Sequence, residues 1–341
     1  MTPRRRLTAV ALIVVVSAGL LSACGGSKEK ASEPASTEPS ASPTVATPVY
    51  APLTGVEVTA ERKHPVIVVK MDNTPASRPQ VGVDKADVVV EELVEGGLTR
   101  LALFFDSSMP AEVGPVRSLR ATDIGVVKPI KATVVASGAA WVTLRRLQAA
   151  KVDLWLDPGA GTAGAKHFYR VTTRSSPYNL MFALAKFAKE TKPHTAHPRP
   201  LFTFDHDQEW AGTKPASKID VGFSYGRHTL WAFRGGAYVN TNPNSVTPYR
   251  ADTVIVVRVR EGDAGYTDPA GNPVPETVLT GSGPMVMFHN GTMVKGQWFK
   301  DGRDNPLQFK ANGVDLKVPV GRTWVELAPM KNFGGSLRVT G

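Results

Sequence analysis

The sequence predicts a mixed α/β N-terminal domain followed by a mostly antiparallel β C-terminal domain. Three observations carry that expectation. β-branched runs alternate with helix-period segments before residue 190, and short apolar runs punctuated by Asn-Gly turns follow residue 250. Between them stands "TKPHTAHPRP" (residues 191–200), with three prolines in ten residues.

Each element follows from its residues. "HPVIVVKMDN" (64–73) is a β-rich run ending in a turn cluster. "ADVVVEELVEGGLTRLALFFD" (86–106) holds two apolar runs joined by Gly96-Gly97, which reads as a hairpin. Three consecutive valines favour strand there over the helix that propensity alone allows. "VRSLRATDIGVV", directly after Pro115, reads as a short helix opened by that proline. "KATVVASGAA" (131–140) is a strand running into a small-residue turn. "WVTLRRLQAAK" and "SSPYNLMFALAKFAKE" read as helices, the second with Ser175 or Ser176 as N-cap and Pro177 in its first turn. In the C-terminal half "ADTVIVVRVRE" is a strand, and "GPMVMFHNGTMVKGQWFK" is a hairpin turning at His289-Asn290-Gly291. A second hairpin turns at Asn312-Gly313, and with Trp298 and Trp324 these short strands suit a small sandwich or barrel-like sheet.

The first residues set the compartment. Arg4, Arg5 and Arg6 form a charged region, "LTAVALIVVVSAGL" (7–20) an apolar one, and "LSAC" (21–24) ends on the single cysteine of the chain. The apolar run is short for a membrane span, which takes about 20 residues. It reads as a signal peptide with a bacterial lipobox, implying cleavage before Cys24 and lipidation of its sulfur. Several acyl chains would make a stable anchor. Residues 24–50, rich in Ser, Pro, Ala and Glu, cannot bury enough surface to fold and read as a disordered tether. The expected organisation is a signal peptide (1–23), the tether (24–50), an N-terminal α/β domain (51–192), a linker (193–204) and a C-terminal β-rich domain (205–341).

Loss of residues 1–23 removes three arginines and no acids, taking the net charge from +10 to +7. One lipidated cysteine excludes disulfides and thiol chemistry. No later stretch approaches membrane-spanning length, so the folded part is expected to be soluble and on the outer face of the bacterial plasma membrane. A basic balance there suits anionic partners: envelope polymers or lipid-linked phosphates. No basic helix or aromatic platform argues for nucleic acid.

The chemistry-bearing residues are mainly arginines. Arg100 follows the hairpin turn, Arg117 and Arg120 follow Gly114-Pro115, and "YRVTTRSSP" supplies Arg170 and Arg174. At i and i+3 of a helix Arg117 and Arg120 would point alike and could clamp a phosphate or carboxylate. The competing reading pairs these arginines with Asp72, Glu91, Glu92, Glu95 and Asp123 as structural salt bridges. Asp72, Asp106 and Asp123 are the acids that could instead hold a divalent cation, Mg2+, bridged to a phosphate. Ser118, Thr122 and Ser137 are hydroxyls without a Gly-x-Ser-x-Gly elbow or a Ser-x-x-Lys motif, so nucleophilic hydrolysis lacks support. His194 and His197, with His206 nearby, have metal-ligand spacing but lie in the proline-rich linker, where a solvated role is the stronger reading.

"KMDNTPASRPQVGVDKADVVVEELVEGGLTRLALFF", "VGPVRSLR" and "FYRVTTRSSPYNL" resemble the N-terminal domain of the YerB-like lipoproteins. "GPMVMFHNGTMVKGQWFK" and "GVDLKVPVGRTWVELAP" are similar to that family's C-terminal domain, so the resemblance spans roughly residues 54–329. It implies a bacterial cell-surface lipoprotein of two domains and carries over no catalytic residues. "WAFRGGAYVNTNPNS" departs from the pattern. The order of parts, without an alignable motif, also resembles the LytR-CpsA-Psr phosphotransferases. Three functions are therefore expected in competition: an envelope binding protein with an arginine-lined anion site and no cofactor, a metal-assisted phosphotransferase on lipid-linked envelope precursors, and a protein-interaction module.

Overall fold

The Asn-Gly turns fold as their chemistry dictates. In the computed structural model, Asn290 and Gly291 have φ of 47° and 71°, and Asn312 and Gly313 have 51° and 82°. Two consecutive positive φ values make the two-residue turns whose twist matches that of the strands they join. The hairpins that result pair Gly281–His289 with Thr292–Lys300, and Gln308–Ala311 with Val314–Asp315. The structure describes residues 48–341, except 60–62, 158, 160–164, 193–197 and 208. The signal peptide, Cys24, nearly all of the tether, His194 and His197 lie outside the described residues.

One thirteen-stranded mixed sheet organises the chain. Its centre runs Gly281–His289, Thr253–Thr267, Thr323–Pro329, Val88–Leu93, Thr99–Phe105, Ile67–Asp72, Thr133–Ala136, Asp153–Leu156. Thr323–Pro329 is parallel to both of its neighbours, one from each side of the proline-rich segment. The expected linker at 193–204 therefore does not separate two sheets. The fold is mostly β, with α-helices of six, nine and seven residues at Thr122–Val127, Trp141–Ala149 and Leu184–Glu190.

Both faces of the large sheet are covered, which explains apolar runs such as "VVV" in place of simple alternation. On one face Val68, Val90, Phe104, Ile255 and Leu327 pack with Ile124 and Leu147 of the first two helices and with Phe202. On the other, Val69, Val89, Leu101, Val256 and Trp324 pack with Phe223, Trp231 and Tyr238. Those three belong to a five-stranded antiparallel sheet of Arg250–Ala251, Ala237–Asn240, Arg227–Arg234, Lys218–Ser224 and Ser336–Thr340.

Two expected helices change form, for one reason. The helix expected from residue 116 begins only at Thr122. Thr133–Ala136 covers Ile67–Val69 of its neighbour and leaves the edge at Lys70–Asp72 open. Residues 115–117 close that edge: the Asp72 N–H donates to the Pro115 carbonyl at 3.1 Å and the Arg117 N–H to the Lys70 carbonyl at 2.9 Å. Likewise Leu180–Phe182 is a strand, paired with Phe168–Arg170 and exchanging both backbone bonds with Val113. The helix thus starts at Leu184, and Pro177 is not in its first turn. In both places unpaired strand edges outcompete local propensity.

Candidate functional site

The parallel strands Ile67–Asp72, Thr133–Ala136 and Asp153–Leu156 end at one side of the sheet, the side on which open α/β sheets place ligands. The segment carrying Arg117 and Arg120 lies across the ends of the first two. The Ser137 N–H donates to the Arg117 carbonyl at 3.1 Å, and the Leu119 N–H to the Gly138 carbonyl at 2.9 Å. Because this segment is extended, the two arginines do not point together, which corrects the helical i, i+3 expectation.

Arg117 Nε donates to Asp72 Oδ2 at 2.7 Å, and its guanidinium lies 5.6 Å over the Tyr178 ring. Its side chain is 22% exposed, and neither Nη1 nor Nη2 donates a hydrogen bond among the described residues. Asp72 is itself oriented by Thr74, whose N–H and Oγ1 donate to Oδ1 at 2.7 and 2.6 Å. Nearby, Arg170 reaches Asp157 at 2.9 Å and Asn179 at 3.1 Å, and Arg174 donates to the Ser77 carbonyl at 3.1 Å.

Arg100 and Arg120 turn inward and share Glu95. Arg120 Nε donates to Glu95 Oε2 at 2.7 Å and its Nη2 to Oε1, while Arg100 Nη2 donates to Oε1 at 3.1 Å. Burial would raise Glu95, but the Arg120 hydrogen bond and both arginine charges outweigh it and hold the carboxyl below its usual range. Burial, with Arg120 beside it, brings Arg100 down to about 10. Arg100 Nη1 donates to the Ser118 carbonyl at 2.7 Å, so this cluster buttresses the segment that presents Arg117.

Beneath them is a cation that sequence reasoning missed. Lys70 is fully buried, and its ammonium donates to Glu92 Oε1 at 2.6 Å and Asp123 Oδ1 at 2.7 Å. Burial first, then the Asp123 charge, pushes Glu92 up to about 7. On the opposite face of the sheet Glu91 lies in register with Glu326 of the parallel strand beside it. Glu91 accepts from Asn73 (2.9 Å), Thr99 (2.6 Å), Arg227 (3.2 Å) and Thr229 (2.8 Å), whereas Glu326 accepts from Trp231 Nε1 at 2.9 Å. Burial first, and then the Glu91 charge, raises Glu326 well above the usual carboxylate range. The signal for both clusters was a charged residue inside an apolar run: Lys70 in "VIVVKMD", Glu326 in "TWVELAP".

A group whose folded pKa is raised stabilises the fold below its unfolded pKa and loses that contribution as pH rises through the folded value. Glu326→Gln stays neutral at every pH. Relative to wild type, the variant is expected to gain stability as pH rises from 5 to 8, by up to about 1.4 kcal/mol per pH unit. Urea unfolding midpoints at the two pH values measure this, and a difference independent of pH would place an ionised Glu326 in the fold.

The candidate acids are not brought together. Asp72 and Asp123 serve Arg117 and Lys70. Asp106 follows Phe105, which pairs with Ile67 at the far end of the strand from Asp72, about 17 Å away at 3.4 Å per residue. Its N–H donates to Asp87 Oδ2 at 2.7 Å. Among the described residues no three His, Cys, Asp or Glu side chains form a metal-ligand set. His206 stacks on Tyr50 at 3.8 Å. Ser118 and Ser137 face each other, their Oγ atoms 3.2 Å apart.

Two sequence profiles of one family match this chain in order. That described as the N-terminal domain of a protein of unknown function, DUF3048, covers residues 53–197, and its C-terminal counterpart covers residues 218–325. The chain belongs to the DUF3048 family. It is also similar to the Bacillus subtilis (strain 168) protein named "Putative lipoprotein YerB", 27% identical over 304 residues that span 84% of this chain and 88% of that protein. The crystal structure of YerB from Bacillus subtilis shares the fold, with a TM-score of 0.68 at 22% identity, covering 85% of this chain and 99% of that one. The YerB-like resemblance thus holds across the DUF3048 chain. No helix among the described residues of this DUF3048 protein is long and apolar enough to cross a membrane.

Proposed function

We propose that this DUF3048 protein is a lipid-anchored extracytoplasmic binding protein that takes a phosphate-bearing ligand of the cell envelope at Arg117. The lipobox cysteine Cys24 and the name of the YerB relative support the anchor and the location. One observation carries the site. Arg117 spends a single N–H on Asp72, while its two terminal amino groups stay unbonded among the described residues, at the carboxyl ends of the adjacent parallel strands Ile67–Asp72 and Thr133–Ala136, with Tyr178 beside them. A fixed, partly desolvated guanidinium with free paired donors is suited to bidentate recognition of phosphate. Arg100 and Arg120 act as its support, their charge directed into Glu95.

Thermal unfolding of the soluble chain lacking Cys24 tests this, with phosphate, pyrophosphate and a polyprenyl phosphate, each with and without Mg2+. A ligand at about 100 times its Kd stabilises by about 2.7 kcal/mol. Arg117→Ala is expected to abolish that gain; because Asp72 is buried and loses its cation, the ligand-free variant is also expected to melt lower, so the gain is read against each chain's own ligand-free melt. A gain that requires Mg2+ and ends in phosphate release would favour the phosphotransferase. No gain with any anion would overturn the binding role and leave Arg117–Asp72 a structural ion pair.

A further inference from the structure

A second positively charged site lies in the C-terminal half, where no arginine or lysine was singled out. An open groove of about 670 Å3 runs between the Gly281–His289 and Thr292–Lys300 hairpin of the large sheet and Ser336–Thr340, an edge strand of the small one. Arg258, Lys295, Lys331 and Arg338 line it, and no carboxylate does. The chain makes room by close approach: a Cβ on Gly335 would stand 1.8 Å from the Pro329 carbonyl oxygen, so only glycine lets the chain double back here.

The four cations are unequal. Arg258 is half-buried, Nη1 donates to the Ser336 carbonyl at 3.1 Å, and burial lowers its pKa. Arg258, Lys295 and Lys331 make no ion pair among the described residues. Arg338 lies 3.7 Å from Asp220, which is also held by His228 at 2.6 Å, and is 77% exposed. Three uncompensated positive charges around one concavity, one of them partly desolvated, leave a positive field that an anion would neutralise. The volume lies in the range of small-molecule sites. Met285 and Leu337 add an apolar wall.

We infer that this groove binds a small organic phosphate or a phosphodiester segment, Arg258 taking the phosphate oxygens and Lys295 and Lys331 closing on them. The Arg117 site lies on other elements, so the two stand or fall separately.

Isothermal titration of the Cys24-less chain with pyrophosphate and with glycerol phosphate tests the assignment. Saturable binding is expected to weaken with salt and to persist in Arg117→Ala. Lys295→Gln/Lys331→Gln, two exposed positions that leave the fold intact, should weaken it at least tenfold. Arg258→Gln should do the same, and should it fold poorly the lysine pair still decides. Affinity within twofold of wild type in the lysine double variant would overturn the site. So would binding to phosphatidylglycerol vesicles with none to either soluble phosphate, because the charges would then serve a membrane surface.

Discussion

Lys70→Met is expected to destabilise the folded chain by about 3–5 kcal/mol at pH 8, because it leaves Glu92 and Asp123 in the interior without their shared cation. The ammonium and both carboxyl groups are essentially inaccessible, so water cannot substitute for it. The effect should depend on pH in a defined direction. Glu92 already prefers its proton, up to about 7, and without Lys70 the balance shifts further toward the neutral acid. The folded variant then holds more protons than the unfolded chain above about pH 4.5, so its stability falls as pH rises. Denaturant melts at pH 5 and pH 8 should show a deficit several-fold larger at the higher pH. An equal deficit at both would mean that lost packing of the lysine stem, and not the charge, sets the cost.

Glu91→Ala is expected to be comparably severe, about 3–5 kcal/mol, through a different face of the sheet. Glu91 joins the large sheet to the small one by accepting from Arg227 and Thr229, and it holds Asn73 and Thr99. Its removal leaves a guanidinium buried to 7% exposure without an anion and three polar groups without their acceptor. Glu91→Gln separates charge from hydrogen bonding: it can still accept at one oxygen, so it should recover part of the loss. A melting temperature for Glu91→Ala within a few degrees of wild type would show that the Glu91 contacts contribute little to joining the two sheets.

The turns were legible because their determinants are local: Asn290-Gly291 and Asn312-Gly313 state their backbone angles in two letters each. The helix expected after Pro115 was misplaced because the open strand edge at Lys70–Asp72 that captures this segment is some forty-five residues upstream. The acids named as arginine partners all take cations, yet three of the five are taken by residues the sequence did not single out. Lys70 holds Glu92 and Asp123, and Arg227 holds Glu91 from 136 residues away. Such pairings bring together strands that flank a third and strands of a second sheet, and neither arrangement leaves a periodic mark. Asp106 fell away from Asp72 for a related reason, since antiparallel pairing sends the end of one strand to the start of its neighbour.

The position of Thr323–Pro329 bears on how such a chain reaches its folded state. The Val88–Leu93 edge against which it docks precedes it by 235 residues, Val88 facing Thr323, and stays uncovered until Thr323–Pro329 has been made. Nearly every intermediate thus carries an adhesive apolar rim. Contacts so distant along the chain close late, and exposed edges of this kind invite wrong partners. A holding chaperone would be needed most in the interval between the synthesis of these two strands.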